Sequence, residues 1–406
     1  MIVLAFFATM INYLDRQALS VAAPILRLQF HLSNTGYARI LLAFMLAYTI
    51  MNGVSGLVID RLGTRVGYAL FVGWWSLCAL LHALARGALS LGVYRFLLGM
   101  GESGNWPGAV KVVAEWFPPE ERSLASGIFN SGSSAGAILA PPLIAVLLIK
   151  FGWRAAFVAV GCLGFVWLAA WMALYRSPAP TAGDPATPSQ TQPKPQRPPA
   201  LRELLRSRFV WSFTVSKIFI DPVWYFYIFW FPAYLFHSRH FDMASIGRYA
   251  WIPFFVAGVG SVGGGSIARI FLNIGMTITS ARKSAVTVAA AMMMMAIPAV
   301  MVSKTAVSIA LVSIAMAGYT AALASMLAMP ADVFPAEACA SVYGLASMGS
   351  GFGGMVFMLA TGWLVDRYSY LPAFWLFGLI PLVCVAILWI LLGPLTRDQS
   401  LQEAIA

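Results

Sequence analysis

The chain is built from apolar runs, each about as long as a helix must be to cross a bilayer. Twelve can be drawn, over 1–26, 36–59, 66–85, 88–115, 122–149, 153–175, 207–236, 244–272, 282–302, 305–333, 337–365 and 370–392. A hydrocarbon core ~30 Å thick takes roughly 20 helical residues to span. Inside it every backbone amide and carbonyl must be bonded within its own segment, which selects the α-helix. Apolar residues make up 60% of the 406 and charged residues only 10%, whereas soluble domains carry about 25% charged. A soluble fold is therefore excluded, and the runs are too many for a signal peptide. The expectation is an all-α membrane protein with twelve transmembrane helices.

One stretch interrupts the pattern. Residues 176–206 contain SPAPTAGDPATPSQTQPKPQRPPA, rich in proline and almost free of large apolar side chains, so they cannot bury a core and read as a flexible linker. The expected organisation is a first six-helix bundle over 1–175, the linker over 176–206, a second bundle over 207–392 and a tail over 393–406. A repeat supports the two bundles. EWFPPEERSLASGIFNSGSSAGAI from Glu115 aligns with DVFPAEACASVYGLASMGSGFGGM from Asp332, and Phe117/Phe334, Pro118/Pro335, Gly127/Gly344, Gly132/Gly349 and Gly136/Gly353 all fall 217 positions apart. The offset persists at Ala156/Ala373 and Gly161/Gly378. Parallel halves of this kind hold a site at their interface near mid-membrane, reached alternately from each side.

A net charge of +11 could point to nucleic acid, but the basic residues are scattered through short loops, the pattern of membrane orientation. With both termini inside, the inside loops hold thirteen Lys and Arg against nine outside, and Arg61, Arg65, Arg122, Arg282 and Lys283 are among the inside set. Cys78, Cys162, Cys339 and Cys384 lie in or near separate spans without a CxxC pair, so they read as packing residues and no metal is expected. Gly258, Gly260 and Gly263 spell the dinucleotide fingerprint GxGxxG inside an apolar run with no strand before it, and helix packing accounts for them better. No HExxH or GxSxG occurs, and neither an enzyme nor a cofactor is expected.

Charges inside the membrane are costly unless paired or wet, so they are functional candidates. NYLDRQ places Asn12, Tyr13, Asp15, Arg16 and Gln17 in span one, and YRFLLGMGE places Arg95 and Glu102 in span four. Seven residues make two helical turns, which puts Arg95 and Glu102 on one face, with Gly99 and Gly101 leaving room for a ligand or a partner helix. The guanidinium fork suits a carboxylate. A desolvated carboxylate takes up a proton more readily and an approaching arginine reverses this, so such a set can couple anion binding to protonation. Lys217 and Asp221, four apart in span seven before Pro222, can pair and either brace a broken helix or serve gating or substrate binding. Span seven also carries Trp224, Tyr225, Tyr227 and Trp230, and Tyr319, Ser347 and Ser350 follow in later spans. Sugar rings pack on aromatic faces, and hydroxyls bond to Tyr, Trp and Ser.

The loop GLVIDRLGTR, from Gly56 to Arg65, resembles the major facilitator motif G-x-L-x-D-R-x-G-x-R at its glycine, aspartate and arginine positions. In that resemblance Gly56, Asp60, Arg61, Gly63 and Arg65 latch the two halves and gate their rocking. NYLDRQALSVAAP and YRFLLGMGESGNWPGAVKVVAEWFPPEERSLASGIFNSGSSAGAILAPPL resemble the anion:cation symporter family within that superfamily, nearest its bacterial sugar-acid carriers. The resemblance implies the two-bundle major facilitator fold and proton-coupled symport of an organic anion such as a hexuronate or aldonate. It implies Arg16 and Arg95 on the substrate carboxylate, Asp15 and Glu102 as the proton-responsive pair, and Tyr13 and Tyr48 bonded to substrate. Trp224, Tyr225 and Ser347 complete the expected site. The chain starts almost in span one without the short basic-aromatic leader of that family, so an earlier start is also an expectation. The expected partners are a small organic anion, protons and the lipid bilayer, with the chain a monomer in the inner (plasma) membrane and both termini cytoplasmic. Sodium-driven or exchange transport of a non-sugar carboxylate, or anion sensing without transport, stand as alternatives.

Overall fold

The computed structural model describes residues 1–176, 201–241, 245 and 248–395. Most of the expected linker, the start of the expected eighth span and residues 396–406 lie outside them. The described residues are helical and loop, with no strand among them. The helices of the first half are α1 (Ile2–Gln29), α2 (Asn34–Leu62), α3 (Thr64–His82), α4 (Ala88–Glu102), α5 (Asn105–Trp116) and α6 (Arg122–Leu174). After the short α7 (Leu201–Leu204), the second half holds α8 (Arg208–Ile220), α9 (Pro222–Arg239), α10 (Ile252–Asn273), α11 (Ile278–Met293) and α12 (Ala296–Met301). It ends with α13 (Thr305–Val333), α14 (Ala336–Arg367) and α15 (Tyr370–Ile390).

Among the described residues eight helices are long and apolar enough to cross a membrane, or nine if the bent stretch Arg208–Arg239 counts as one span. Three further spans follow from how the remaining helices are built. α6 is two spans joined at Gly152, whose φ of 81° reverses the chain in a way only glycine accepts easily. α4 and α5 are each too short alone and together make the fourth span, broken at Ser103–Gly104. A side chain at Gly104 would collide with the Phe71 ring of α3. α1 has the length, and its polar stretch Asn12–Gln17 lowers its hydropathy. The result is the twelve-helix, two-bundle architecture.

Two differences from the sequence reading bear on the charged residues and the linker. Thr277 accepts a hydrogen bond from Ser280 N at 3.3 Å and caps α11 one turn early. Arg282 and Lys283, read as loop anchors, are therefore buried inside a helix. The second is Leu201–Leu204, which is helical although it falls within the expected flexible linker.

The halves meet through two matching seams at the linker face, where α6 ends and α8 begins. On one seam Gly56 of α2 lies against the Ala340 carbonyl of α14, and Gly344 of α14 against the Asn52 carbonyl of α2. On the other, Gly265 of α10 lies against the Ser123 carbonyl of α6, and Gly127 of α6 against the Ser261 carbonyl of α10. Ala340 and Ser123, like Gly344 and Gly127, are 217 positions apart. One repeat thus built both seams, and glycine is needed because backbone meets backbone there. Gly260, from the fingerprint look-alike, packs likewise, with Ala317 Cα 2.6 Å from where its Cβ would sit.

Candidate functional site

Between the bundles lies a cavity with about 40 Å³ of water-accessible space, room for about three water molecules. Its walls come from both halves. α1, α2 and α5 give Tyr13, Arg16, Tyr48 and Trp106; α8 and α9 give Lys217, Trp224 and Tyr225, with Asp221 at their junction; α13 gives Tyr319 and Leu323, and α14 gives Tyr343, Ser347 and Ser350. A six-carbon acid is larger than this space, so these walls must part to admit one.

The first-half wall centres on Arg16. Its Nε and Nη2 each lie 3.0 Å from Glu102 Oε2, with Glu102 fully buried and Arg16 21% exposed toward the cavity. The guanidinium is also held by aromatic faces, with Tyr48 at 4.7 Å, Phe44 at 5.2 Å and Tyr13 at 5.3 Å from ring centroids. A cation over rings gains about 0.5–2 kcal/mol per contact depending on exposure. Behind it, Asp15 is buried, and neither carboxylate oxygen has a hydrogen-bond partner.

Arg95 does not line the cavity. It is buried, its Nη2 donates to the Arg16 carbonyl at 3.4 Å, and its Nε has no partner. Sharing a face with Glu102 did not bring it to the same level, because two turns of helix separate them by about 10 Å along the axis. Gly99 and Gly101 make room for partner helices rather than a ligand. A side chain at Gly101 would come within 2.7 Å of Trp74 and 2.8 Å of the Trp75 backbone, and Gly99 faces the Phe44 carbonyl.

In the second-half wall the charged pair and its two tyrosines are bonded to one another. Lys217 Nζ is 2.8 Å from Asp221 Oδ2 and donates to Tyr343 OH at 3.3 Å, while Tyr319 OH donates to Asp221 Oδ1 at 3.2 Å. Tyr319 stacks on Trp224 at 5.5 Å, and Trp224 Nε1 donates across the cavity to Tyr13 OH at 3.1 Å. Tyr227 and Trp230 are absent from the lining, and the Tyr227 hydroxyl and Trp230 indole N–H are buried without partners. Trp106 and Tyr343 escaped the sequence reading. Tyr343, Ser347 and Ser350 recur at i, i+4 and i+7, one helix face, which was the available signal.

Toward the linker face the halves are tied by polar contacts. Asp60 accepts from Lys111 Nζ at 2.9 Å and from the Ser341 amide of α14 at 2.7 Å. Asp332 bridges Arg122 at 3.1 Å and Arg282 at 2.9 Å. Arg282 also bonds to Ser123 and, at 2.5 Å, to the Pro119 carbonyl. Arg65 donates to the Met172 carbonyl at 2.8 Å, Arg61 is exposed, and Gly63 turns the chain with φ 78°. Apart from the Trp224–Tyr13 bond across the cavity, the hydrogen bonds between the halves among the described residues, including Asn130 Nδ2 to Ser261 Oγ at 2.8 Å, lie on the linker-face side of the cavity, so the molecule is closed here.

Two helical bundles enclosing a small polar chamber, sealed on one face by glycine seams and ion pairs, define a membrane carrier. The chain belongs to the Major Facilitator Superfamily, which it matches over residues 5–322 and 278–404. It is 31% identical to the hexuronate transporter of Escherichia coli K12 over 99% of this chain and 96% of that one. It is 35% identical to the galacturonate transporter of Dickeya chrysanthemi over 72% of this chain and 88% of that one. Among solved structures, the human organic anion transporter MFSD10 superimposes with a TM-score of 0.73 at 14% identity, covering 95% and 98% of the two chains. The proton:xylose symporter XylE gives 0.72 at 13% identity, covering 100% and 98%. Both share the fold.

Proposed function

We propose that this chain is a secondary transporter that imports a sugar acid of the hexuronate or aldonate type together with protons, by alternating access. It works as a monomer in the inner membrane with both termini cytoplasmic, and the linker face is then the cytoplasmic side. The observation that carries the reading is the Arg16–Glu102 pair, whose arginine alone reaches the cavity. Named sugar-acid transporters among the relatives support the substrate class.

Protonation of Glu102 from outside releases the Arg16 fork. The substrate carboxylate then takes the place that Glu102 held, with Tyr13 and Tyr48 beside it and Trp224, Tyr225 and Ser347 against the sugar. Asp15 shares the proton load, and Arg95 acts from behind the wall by holding the Arg16 backbone. Rocking parts the seams and the latch of Gly56, Asp60, Arg61, Gly63 and Arg65, and substrate leaves. Loss of the proton to the cytoplasm restores the Arg16–Glu102 pair and expels any lingering carboxylate.

Purified protein in liposomes tests this directly. Uptake of uronates and aldonates above equilibrium is expected with an inward proton gradient and not with an inward sodium gradient. Accumulation driven by sodium, or exchange alone, would refute the coupling. Uptake confined to non-sugar carboxylates would refute the substrate class.

A further inference from the structure

We propose that the Lys217–Asp221 pair forms the second pole of the substrate site, reading the hydroxyl-bearing end of a monocarboxylate and turning away acids with a carboxylate at each end. The inference rests on the sugar-acid reading above and narrows it. Both side chains line the cavity and are almost wholly buried, and their charges cancel at 2.8 Å. They come from the bundle opposite Arg16, so one ligand in the chamber touches both poles.

The chemistry of the poles differs. Arg16 offers a planar fork of donors, which fits a carboxylate. Lys217 and Asp221 set a donor beside an acceptor, and a pair of neighbouring sugar hydroxyls, each able to donate and accept, matches that arrangement. Tyr343, Tyr319, Ser347 and Ser350 surround it with further hydroxyls. A second carboxylate at this end would meet Asp221, and like charges brought together at a desolvated site are strongly unfavourable. Lys217 cannot offset this, because Asp221 already neutralises it. A uronate or an aldonate therefore satisfies both ends, whereas an aldarate satisfies one and is repelled at the other.

The test is competition in liposomes containing the wild-type protein, with labelled galacturonate as substrate. Unlabelled glucuronate and galactonate should compete, and galactarate and glucarate should compete at least about tenfold more weakly, a lower bound for like charges brought together at a desolvated site. Asp221→Asn leaves Lys217 unopposed, and should narrow that gap about tenfold by weakening the uronate and strengthening the aldarate. Tyr319→Phe retains the charge and removes one hydrogen bond, so it should still exclude aldarates, and it serves should Asp221→Asn fail to fold. Equal competition by aldarates in the wild type, an unchanged gap in Asp221→Asn, or aldarate entry in Tyr319→Phe overturns the inference and leaves sugar-acid transport standing. No uptake of any sugar acid overturns both.

Discussion

The charged cluster behind the first-half wall and the one set in the second-half wall are satisfied to different degrees. In the first bundle Asp15 has no partner on either oxygen, Glu102 leaves Oε1 unbonded, and Arg95 Nε and Asn12 Nδ2 are unbonded as well. In the second, Lys217, Asp221, Tyr319 and Tyr343 are all hydrogen-bonded to one another. The walls are related by the repeat, for Glu102 and Tyr319 stand 217 positions apart. Each reaches toward a charged residue of its bundle's first span, Arg16 in one case and Asp221 in the other. Where the first half keeps an acid, the second keeps a phenol. Buried polar groups left unbonded cost about 1–3 kcal/mol each, a burden that makes sense where partners are exchanged during a cycle. A fully bonded cluster holds its shape instead, and suits recognition.

That contrast can be broken most directly by moving the same chemistry between walls. Glu102→Gln should abolish proton-driven accumulation while sparing substrate exchange, and Asp221→Asn should retain accumulation with a raised KM. Both are read from uptake and counterflow in liposomes. Accumulation surviving Glu102→Gln, or lost in Asp221→Asn, would reverse the assignment of the walls. A smaller effect is expected at the seams. Gly56→Val drives its side chain into the Ala340 carbonyl, and overpacking costs about 1–3 kcal/mol, so the closed linker face should lose population. Distances between spin labels across that face would lengthen. The repeat-related Gly265→Val should act equally, and unequal shifts would show that the seams carry different loads. The mildest change is Trp224→Phe, which keeps the stack on Tyr319 and removes the bond to Tyr13. It should weaken substrate binding about three- to fivefold, the scale of one hydrogen bond near 1 kcal/mol, as measured by ligand-induced thermal shift.

Much of the fold was legible because bilayer thickness and the 217-residue repeat act on the sequence directly. Run length located the spans closely enough that the expected 305–333 coincides with Thr305–Val333. Polar and aromatic residues inside spans brought out Tyr13, Arg16, Trp224, Tyr225 and Ser347, the family resemblance added Tyr48, and all six reach the cavity. What could not be read was depth. Helical periodicity gives the direction of Arg95 and not its height along the axis, so its face was right and its level was not. Arg282 escaped for a related reason. Its role depends on where Thr277 begins the helix, and a basic residue near a span end reads as an anchor until that start is known. For Lys217 and Asp221 the four-residue spacing foretold the ion pair and left bracing and a gating or substrate role open, because whether they face the chamber depends on α13 and α14 folding back beside them.

Because both seams are main chain against main chain, the bundles rest on bearings with almost no teeth. Turning one bundle on the other slides backbone over backbone at these points, with only a few side-chain bonds to release, such as Ser261 to the Gly127 carbonyl and Asp60 to the Ser341 amide. The matched construction means neither bearing can travel without its twin, so a single added methyl on either side acts as a wedge in the whole axle.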